Sequence, residues 1–428
     1  MTIKDFIKAK EKSEKNTEED INYFIKNLQN FSQEEITRWL KAVKTNGLND
    51  EETTILTKAM AYSGTVLNWD DLEPVIDKHS TGGIGDKITL LFVPLLSAYG
   101  INIPKLSGRS LGITGGTIDK LESIPGFKTA LSIDDIKKQV KNIGLAICSA
   151  SIDLAPADKI LYAIRDVTDT VDSIPLISSS IMSKKIAAGA KNIILDVKCG
   201  SGAFMKNLHD ARLLAEKMVL IGKSLNKNIK AVISNMDEPL GNAIGNTLEI
   251  KEVIEVLSGK NVPDLVEIVI SLACEAISII KPKTELNIEK KLVDILLNGD
   301  AYKKFESMII SQDGDLNAIF KEEKKARHIE PVKSTCDGYI QNIDAHLFGE
   351  AVFNLGAGRK TVSDRIDDSV GIIFNKKHGD YVKAGELLFE IHAKNKKDAD
   401  SAKNYLSPAI RFTDNSPTKP KLIYKIVE

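Results

Sequence analysis

The first sixty residues repeat one pattern three times: a short polar cap, an acidic residue three positions on, then apolar residues at helical spacing. Thr17 and Asp20 precede Ile21, Phe24, Ile25 and Leu28; Ser32 and Glu35 precede Ile36, Trp39, Leu40 and Val43; Asn49 and Glu52 precede Ile55, Leu56 and Met60. The spacing predicts three amphipathic helices in a small all-helical domain. From about residue 74 the pattern becomes short apolar runs, Gly-rich turns and helical periods, the alternation of β-loop-α units. Strands are predicted around Ile103 to Leu106, Leu145 to Cys148, Ile193 to Val197 and Ala231 to Ile233. One helix carries Leu91, Leu95 and Leu96 and stops at Gly100; another starts at Ser132 and carries Ile136, Val140 and Ile143. Beyond the charged stretch Lys321 to His328 and Pro331, short strands alternate with Gly and Asp. The expected fold class is α/β: a helical domain over residues 1–70, a large sheet domain over 71–330 and a C-terminal α+β domain over 331–428.

A chain of 428 residues has room for these parts. Lys and Arg number 58 against 59 Asp and Glu, so no net field gathers nucleic acid or a membrane surface, and any basic site is local. Cys148, Cys199, Cys274 and Cys336 are scattered without metal-ligand spacing or a disulfide pattern, which fits a reduced compartment. The N-terminus lacks the apolar core of a leader, and no stretch approaches the roughly 20 apolar residues of a membrane span. A cytoplasmic location is therefore expected, with neither nucleic acid nor membrane as partner. The stretch Gly371 to Ala393 resembles half of the β-hammerhead of biotinyl and lipoyl domains, but no lysine stands in the hairpin context that those carriers modify. Its role is read as structural.

Three segments carry candidate chemistry. Asp77 to Asp86, DKHSTGGIGD, follows the apolar pair Val75 and Ile76 and precedes a helix. Gly82, Gly83 and Gly85 let backbone approach an anion, while Lys78 and Ser80 offer charge and a hydroxyl. The lysine precedes the glycines, so this is not a Walker loop. Ser107 to Glu122, SGRSLGITGGTIDKLE, again lies between an apolar run and a helix, with Ser107, Thr114 and Thr117 as donors among glycines. Two such loops on neighbouring β-α turns can converge on one anion. The third segment is Tyr162-Ala-Ile-Arg165 with Ser178 to Lys185, where Ser180 and Lys184 share a helical face. An Arg, a hydroxyl and an ammonium on one wall suit a flat polar base; a solvated helix face is the plainer alternative.

These blocks resemble the thymidine and pyrimidine-nucleoside phosphorylases, and the likeness runs through LAPADKILYAIRDVTDTVDSIPLISSSIMSKK, DVKCGSGAFM and the C-terminal hammerhead. The resemblance implies phosphorolysis of uridine, thymidine and deoxyuridine to free base and (deoxy)ribose 1-phosphate, with inorganic phosphate as co-substrate, by a homodimeric enzyme of nucleoside salvage. It implies phosphate contacts at Lys78, His79, Ser80, Thr89, Lys105, Leu106, Ser107 and Thr117, and nucleoside contacts at Arg165, Ser180, Lys184, Tyr162 and Leu111. His79 matches the proposed acid, with Arg165 and Lys184 beside it in the catalytic set. Residues 160–190 are then part of the helical domain, which closes on the sheet. Lys105 matches relatives of broad pyrimidine specificity, where thymidine-restricted ones carry Met. Such relatives also hold a monovalent cation, K+, through positions matching Gly85, Lys87, Leu240, Ala243 and Glu252.

The chain departs from the family pattern in places. Ser110 stands for the usual Gly and Ile113 for the usual His, which is expected to alter the base pocket. Lys87 replaces the usual Thr at the cation site, where its ammonium can replace the ion or pair with Glu252. Ser149-Ala150 replaces Gln-Thr. The alternatives are a thymidine-restricted phosphorylase, an anthranilate-type phosphoribosyltransferase on the same scaffold, which would need an acidic magnesium motif, and a weakened homologue acting as a binding protein.

Overall fold

The computed structural model describes residues 2–110, 112–149, 154–281, 287–321, 324–359, 361 and 364–428. Helices Ile3–Glu11, Glu18–Lys26, Gln33–Asn46 and Asp50–Ala61 all start in reciprocal capping boxes, formed by Thr2 with Asp5, Thr17 with Asp20, Ser32 with Glu35 and Asn49 with Glu52. Each box satisfies two backbone N–H groups that the first turn leaves free. The first helix is one more than the spacing predicted. Its buried stripe is short, only Phe6, Ile7 and the aliphatic stem of Lys10. The Phe6 ring stacks on Phe24 at 4.9 Å and on Trp39 at 5.6 Å. Ala157, Leu161 and Leu176, from helices Pro156–Val167 and Ile174–Ala187, enter the same core.

Five strands build the sheet region: β1 (Ile76–Ser80), β2 (Ile103–Ser107), β3 (Leu145–Ser149), β4 (Asn192–Cys199) and β5 (Asn228–Asn235). β1 pairs in parallel with β4, β4 with β5, and β2 with β3. Ile76 N donates to Asn102 O and Asn102 N donates to Pro74 O, which ties the β2–β3 pair to β1. All four predicted strands are present. β1 is the addition, because Lys78, His79 and Ser80 read as loop but continue the strand. Charged side chains on β1 meet buried partners, Lys78 with one on β4 and Asp77 with others on β2 and helix Ile174–Ala187, so ion pairing stands in for the apolar signal. The helix Ile88–Tyr99 is buried nearly all round and ends at Gly100, whose φ of +103° is a conformation that side chains resist.

The C-terminal part consists of two small sheets around the core of Phe348, Phe374 and Phe389. One contains Tyr381–Val382, Gly338–Ile343 and Ile410–Thr413; the other contains Ala243–Ile244, Gly371–Phe374, Leu387–Ala393 and His328–Lys333. The division at residue 331 is crossed twice. Ala243–Ile244 joins the C-terminal sheet, and the last strand, Ile423–Val427, pairs antiparallel with β5 and covers the edge of the central sheet. The returning strand pairs the open edge of β5 and itself becomes the short outer strand of the sheet. Among the described residues no helix is long and apolar enough to cross a membrane.

Within the helical part the Lys10 ammonium lies 2.6 Å from Glu52, both almost wholly buried, and Glu52 also accepts from Asn16 N and Asn49 N. Replacing Glu52 by Ala strands a buried cation and should cost about 3–5 kcal/mol. Ser32→Ala removes only an exposed cap and should cost about 1 kcal/mol. Urea unfolding of the two variants checks this; equal losses would contradict the buried pair.

Candidate active site

The site grows from the carboxyl end of β1, where alternate side chains face opposite sides of the sheet. Lys78 is fully buried. Its Nζ lies 3.1 Å from Thr89 Oγ1 and 3.2 Å from Asp196 on β4. Lys198, also on β4, approaches the same carboxylate at 2.9 Å, and Ser234 donates to it at 2.8 Å. Asp77 likewise stands between two ammonium groups, Lys185 at 2.7 Å and Lys105 at 3.6 Å. Each carboxylate therefore serves two lysines, and positive charge is left over beneath the loop.

The loop itself is held tightly. Ser80 Oγ donates to Asp86 Oδ2 at 2.5 Å and accepts from Gly82 N at 3.2 Å. Burial acts to raise the Asp86 carboxyl, but Lys198, Lys78 and Lys120 together hold it far below the carboxylate range. Gly85, at φ +70°, admits no side chain, since a Cβ there would sit 2.5 Å from Leu240 O. In the second loop Gly116 is equally crowded, by Ser110 N and the Asp119 carboxylate. Lys120 joins the two loops by donating to Asp86 O at 2.8 Å while pairing with Glu249 at 2.8 Å.

Both loops open on one cleft of about 480 Å³, of the size that takes a small ligand. His79, Ser80, Thr89, Lys105, Leu106, Ser107 and Thr117 line the sheet side; Ile181, Lys184 and Lys185 line the helical side. The imidazole Nε2 of His79 is buried and reaches no protein partner. Burial, reinforced by Lys185, Lys105, Lys184 and Lys78, drives its pKa well below 6.5, so the ring is neutral at physiological pH. Burial also pushes the Lys105 ammonium down, helped by Lys185 and opposed by Asp77, to about 7.

Several expected residues lie elsewhere. Lys78 lies under the cleft and touches it only through Thr89. Arg165 does not line it: the residue is 3% exposed and its guanidinium donates to the carbonyls of Thr170, Leu176 and Val171 at 3.2, 3.0 and 2.8 Å. It fastens the turn between the two site helices, because those carbonyls would otherwise be buried without donors. Ser180 and Tyr162 also stand off the cleft. Ser180 Oγ accepts from Lys184 at 3.1 Å, and Lys184 pairs with Asp158 at 2.6 Å. The cations of Arg165 and Lys184 lie 5.8 and 5.9 Å from the centre of the Tyr162 ring. Leu111 and Ala150 lie outside the described residues. Ile113, expected at the base pocket, packs against the C-terminal core instead, where an apolar side chain is shielded from water.

Gly85, Lys87, Leu240, Ala243 and Glu252 do converge, but on the Lys87 ammonium. Its Nζ lies 2.8 Å from Leu240 O, 3.0 Å from Ala243 O and 2.8 Å from Glu252. These oxygens are occupied by a donor, so the residues present do not fit a potassium ion. Among the described residues there is no group of three His, Cys, Asp or Glu side chains able to hold a metal.

Asp77, Asp86, Asp158, Asp196, Lys185 and Lys198 escaped the sequence reading. The signal was present for some of them. Asp86 closes the first Gly-rich loop, and Asp196 and Lys198 interrupt the apolar run NIILDVKC, where charges need buried partners.

Residues 72–302 match the model of the glycosyl transferase family, a/b domain, so the chain is of that class. Residues 339–413 match the pyrimidine nucleoside phosphorylase C-terminal domain. Pyrimidine-nucleoside phosphorylase of Staphylococcus epidermidis is 44% identical over 436 aligned positions, covering all of both chains. That of Staphylococcus haemolyticus is 44% identical over 433, again covering all of both. The chain belongs to the pyrimidine-nucleoside phosphorylase family. Anthranilate phosphoribosyltransferase of Thermus thermophilus superposes with a TM-score of 0.58 at 17% identity, covering 72% of this chain and 99% of that one; this likeness is one of fold.

Since the free Lys105 amine is half-titrated near neutrality, an anion bound beside it should draw a proton onto it. Lys105 should be largely neutral above about pH 7 before binding, so binding takes protons up. Sulfate carries no proton in this range. Calorimetry of sulfate binding at pH 8, in buffers of different ionisation enthalpy, should show net uptake that Lys105→Met abolishes; uptake unchanged in that variant would contradict the assignment.

Proposed function

We propose that this chain is a pyrimidine-nucleoside phosphorylase, and that it cleaves uridine, deoxyuridine and thymidine with inorganic phosphate. The observation that carries this reading is the cleft itself. Hydroxyls of Ser80 and Ser107 at the two Gly-rich loops, and of Thr89 and Thr117 at the starts of the helices that follow, stand over shared lysines, with a neutral imidazole whose Nε2 has no protein partner beside them and a lysine-bearing helix opposite. A phosphate oxyanion suits the first group and the carbonyl edge of a pyrimidine the second.

In this mechanism phosphate held by the two loops supplies the nucleophilic oxygen. It attacks C1′ of the sugar as the C1′–N1 bond breaks, and the electron pair of that bond leaves with the base. Negative charge then gathers on N1 and O2 of the pyrimidine. A neutral His79 stabilises it by donating an N–H to O2, and the Lys184 ammonium adds its field. The negative charge of bound phosphate also raises the His79 pKa, which moves the ring toward the acid role implied by the family. The base becomes neutral by taking up the proton that the attacking hydrogen phosphate gives up, and the sugar leaves as its 1-phosphate. Arg165 acts on the base wall by fixing the turn that presents helix Ile174–Ala187, and its remaining N–H groups face the Tyr162 ring. Closure of the helical part onto the sheet excludes water, which would otherwise compete with phosphate.

The Lys105 ammonium supports a broad substrate range, because it can meet the more polar ribonucleosides as well as thymidine. The same reading takes the chain to be a cytoplasmic homodimer, on the family likeness alone. Purified protein should release uracil and thymine from uridine and thymidine only when phosphate is added, with ribose or deoxyribose 1-phosphate as the second product. His79→Gln, which keeps an N–H donor, should retain far more activity than His79→Leu. Activity on thymidine with none on uridine would refute the broad range, and base release without phosphate would refute the reaction.

A further inference from the structure

The cation position of this fold is filled here by the chain itself. Lys87 is fully buried at the start of helix Ile88–Tyr99, just after the first anion loop. An ammonium has three N–H donors, and Lys87 has three acceptors: Leu240 O, Ala243 O and Glu252 Oε2, at 2.8, 3.0 and 2.8 Å. Gly241 stands over the pair, where a Cβ would lie 2.8 Å from the Lys87 Nζ and 2.5 Å from Glu252 Oε2. No room is left at this point for an ion beside the nitrogen. The carboxylate of Glu252 is engaged on its other sides by Asn242 N at 2.6 Å and Ala243 N at 3.1 Å.

We infer that the Lys87 ammonium is a built-in replacement for a monovalent cation, and that this protein needs no potassium to organise the loop behind its cleft. Lys87 acts as a positioning residue. Through Leu240 it holds the segment whose backbone meets the first anion loop, since Leu240 N donates to Ile84 O at 3.0 Å. Through Ala243 it holds the short strand that joins the C-terminal sheet. A second lysine clamps the same segment from the C-terminal part, Lys377 donating to Pro239 O at 2.6 Å and Gly241 O at 2.9 Å. Two covalently attached cations thus fix a turn whose carbonyl dipoles converge on them. Burial opposes the charge on Lys87, but Glu252 and Glu249 outweigh it and raise the pKa, so the ammonium persists across the working pH range.

The test compares potassium chloride with choline chloride at equal ionic strength. Wild-type protein should melt at the same temperature and turn over at the same rate in both; a loss in choline that potassium restores would overturn the inference. In Lys87→Thr the oxygens are vacated and a hydroxyl is added. Its melting temperature should be lower than wild type in choline and should rise by several degrees in potassium or rubidium, with catalytic rate recovering in parallel. A folded Lys87→Thr protein indifferent to the ion would count against a cation position. If that variant does not fold in any salt, wild-type crystals soaked in rubidium decide: no anomalous peak is expected among Leu240, Ala243 and Glu252, and a peak there would overturn the proposal. Melting and anomalous scattering report on Lys87 whatever nucleoside the cleft accepts.

Discussion

Two buried carboxylates, each shared between two lysines, organise this protein. Asp196 is ion-paired with Lys78 and Lys198, and Asp77 with Lys105 and Lys185. Taking such groups from water costs several kcal/mol per ion, and a shared carboxylate returns only part of it. The arrangement is relieved by a further anion, and the hydroxyls over these lysines mark where it would lie. Asp86, held ionised by Lys198, Lys78 and Lys120, answers part of the excess and fixes the Ser80 turn. On a chain of net charge −1 this is how a strong local field arises without a basic surface.

Everything around the carboxylates limits movement on the sheet side. Lys120 ties the first anion loop to the helix bearing Glu249, while Lys87 and Lys377 clamp the segment behind it. The C-terminal part thereby contributes to the cleft without lining it, and the returning strand Ile423–Val427 locks it to the central sheet. The helical side is built differently. Lys184 reaches the cleft from a helix whose approach is fixed by the Arg165 turn, and its partner Asp158 lies on the neighbouring helix. A rigid anion floor facing a wall carried on helices is the geometry in which closure can assemble a reaction site.

Much of this was legible in the chain. Capping boxes named the N-terminal helices through Thr17, Ser32 and Asn49, and apolar runs named four strands of the sheet. The first helix was hidden because its stripe is two apolar residues and a lysine stem. β1 was hidden because its side chains are charged, and only the fold shows that Asp196 lies within reach. Ser80, Thr89, Ser107 and Thr117 were readable as a set through Gly-rich loops and family likeness, and they share one cleft. Arg165 stands off the cleft for a reason the sequence does not show: the carbonyls of Thr170, Val171 and Leu176 claim its guanidinium. Ile113 packs against the C-terminal core, a neighbour that only the fold brings to it.

The position of a bound oxyanion tests the account most directly. In a crystal soaked with selenate, whose anomalous signal locates it without ambiguity, the anion should lie against Ser80, Thr89, Ser107 and Thr117, above Lys78 and beside His79. Selenate found only outside that cleft, with those hydroxyls left to water, would contradict the claim that the shared lysines are there to receive an anion.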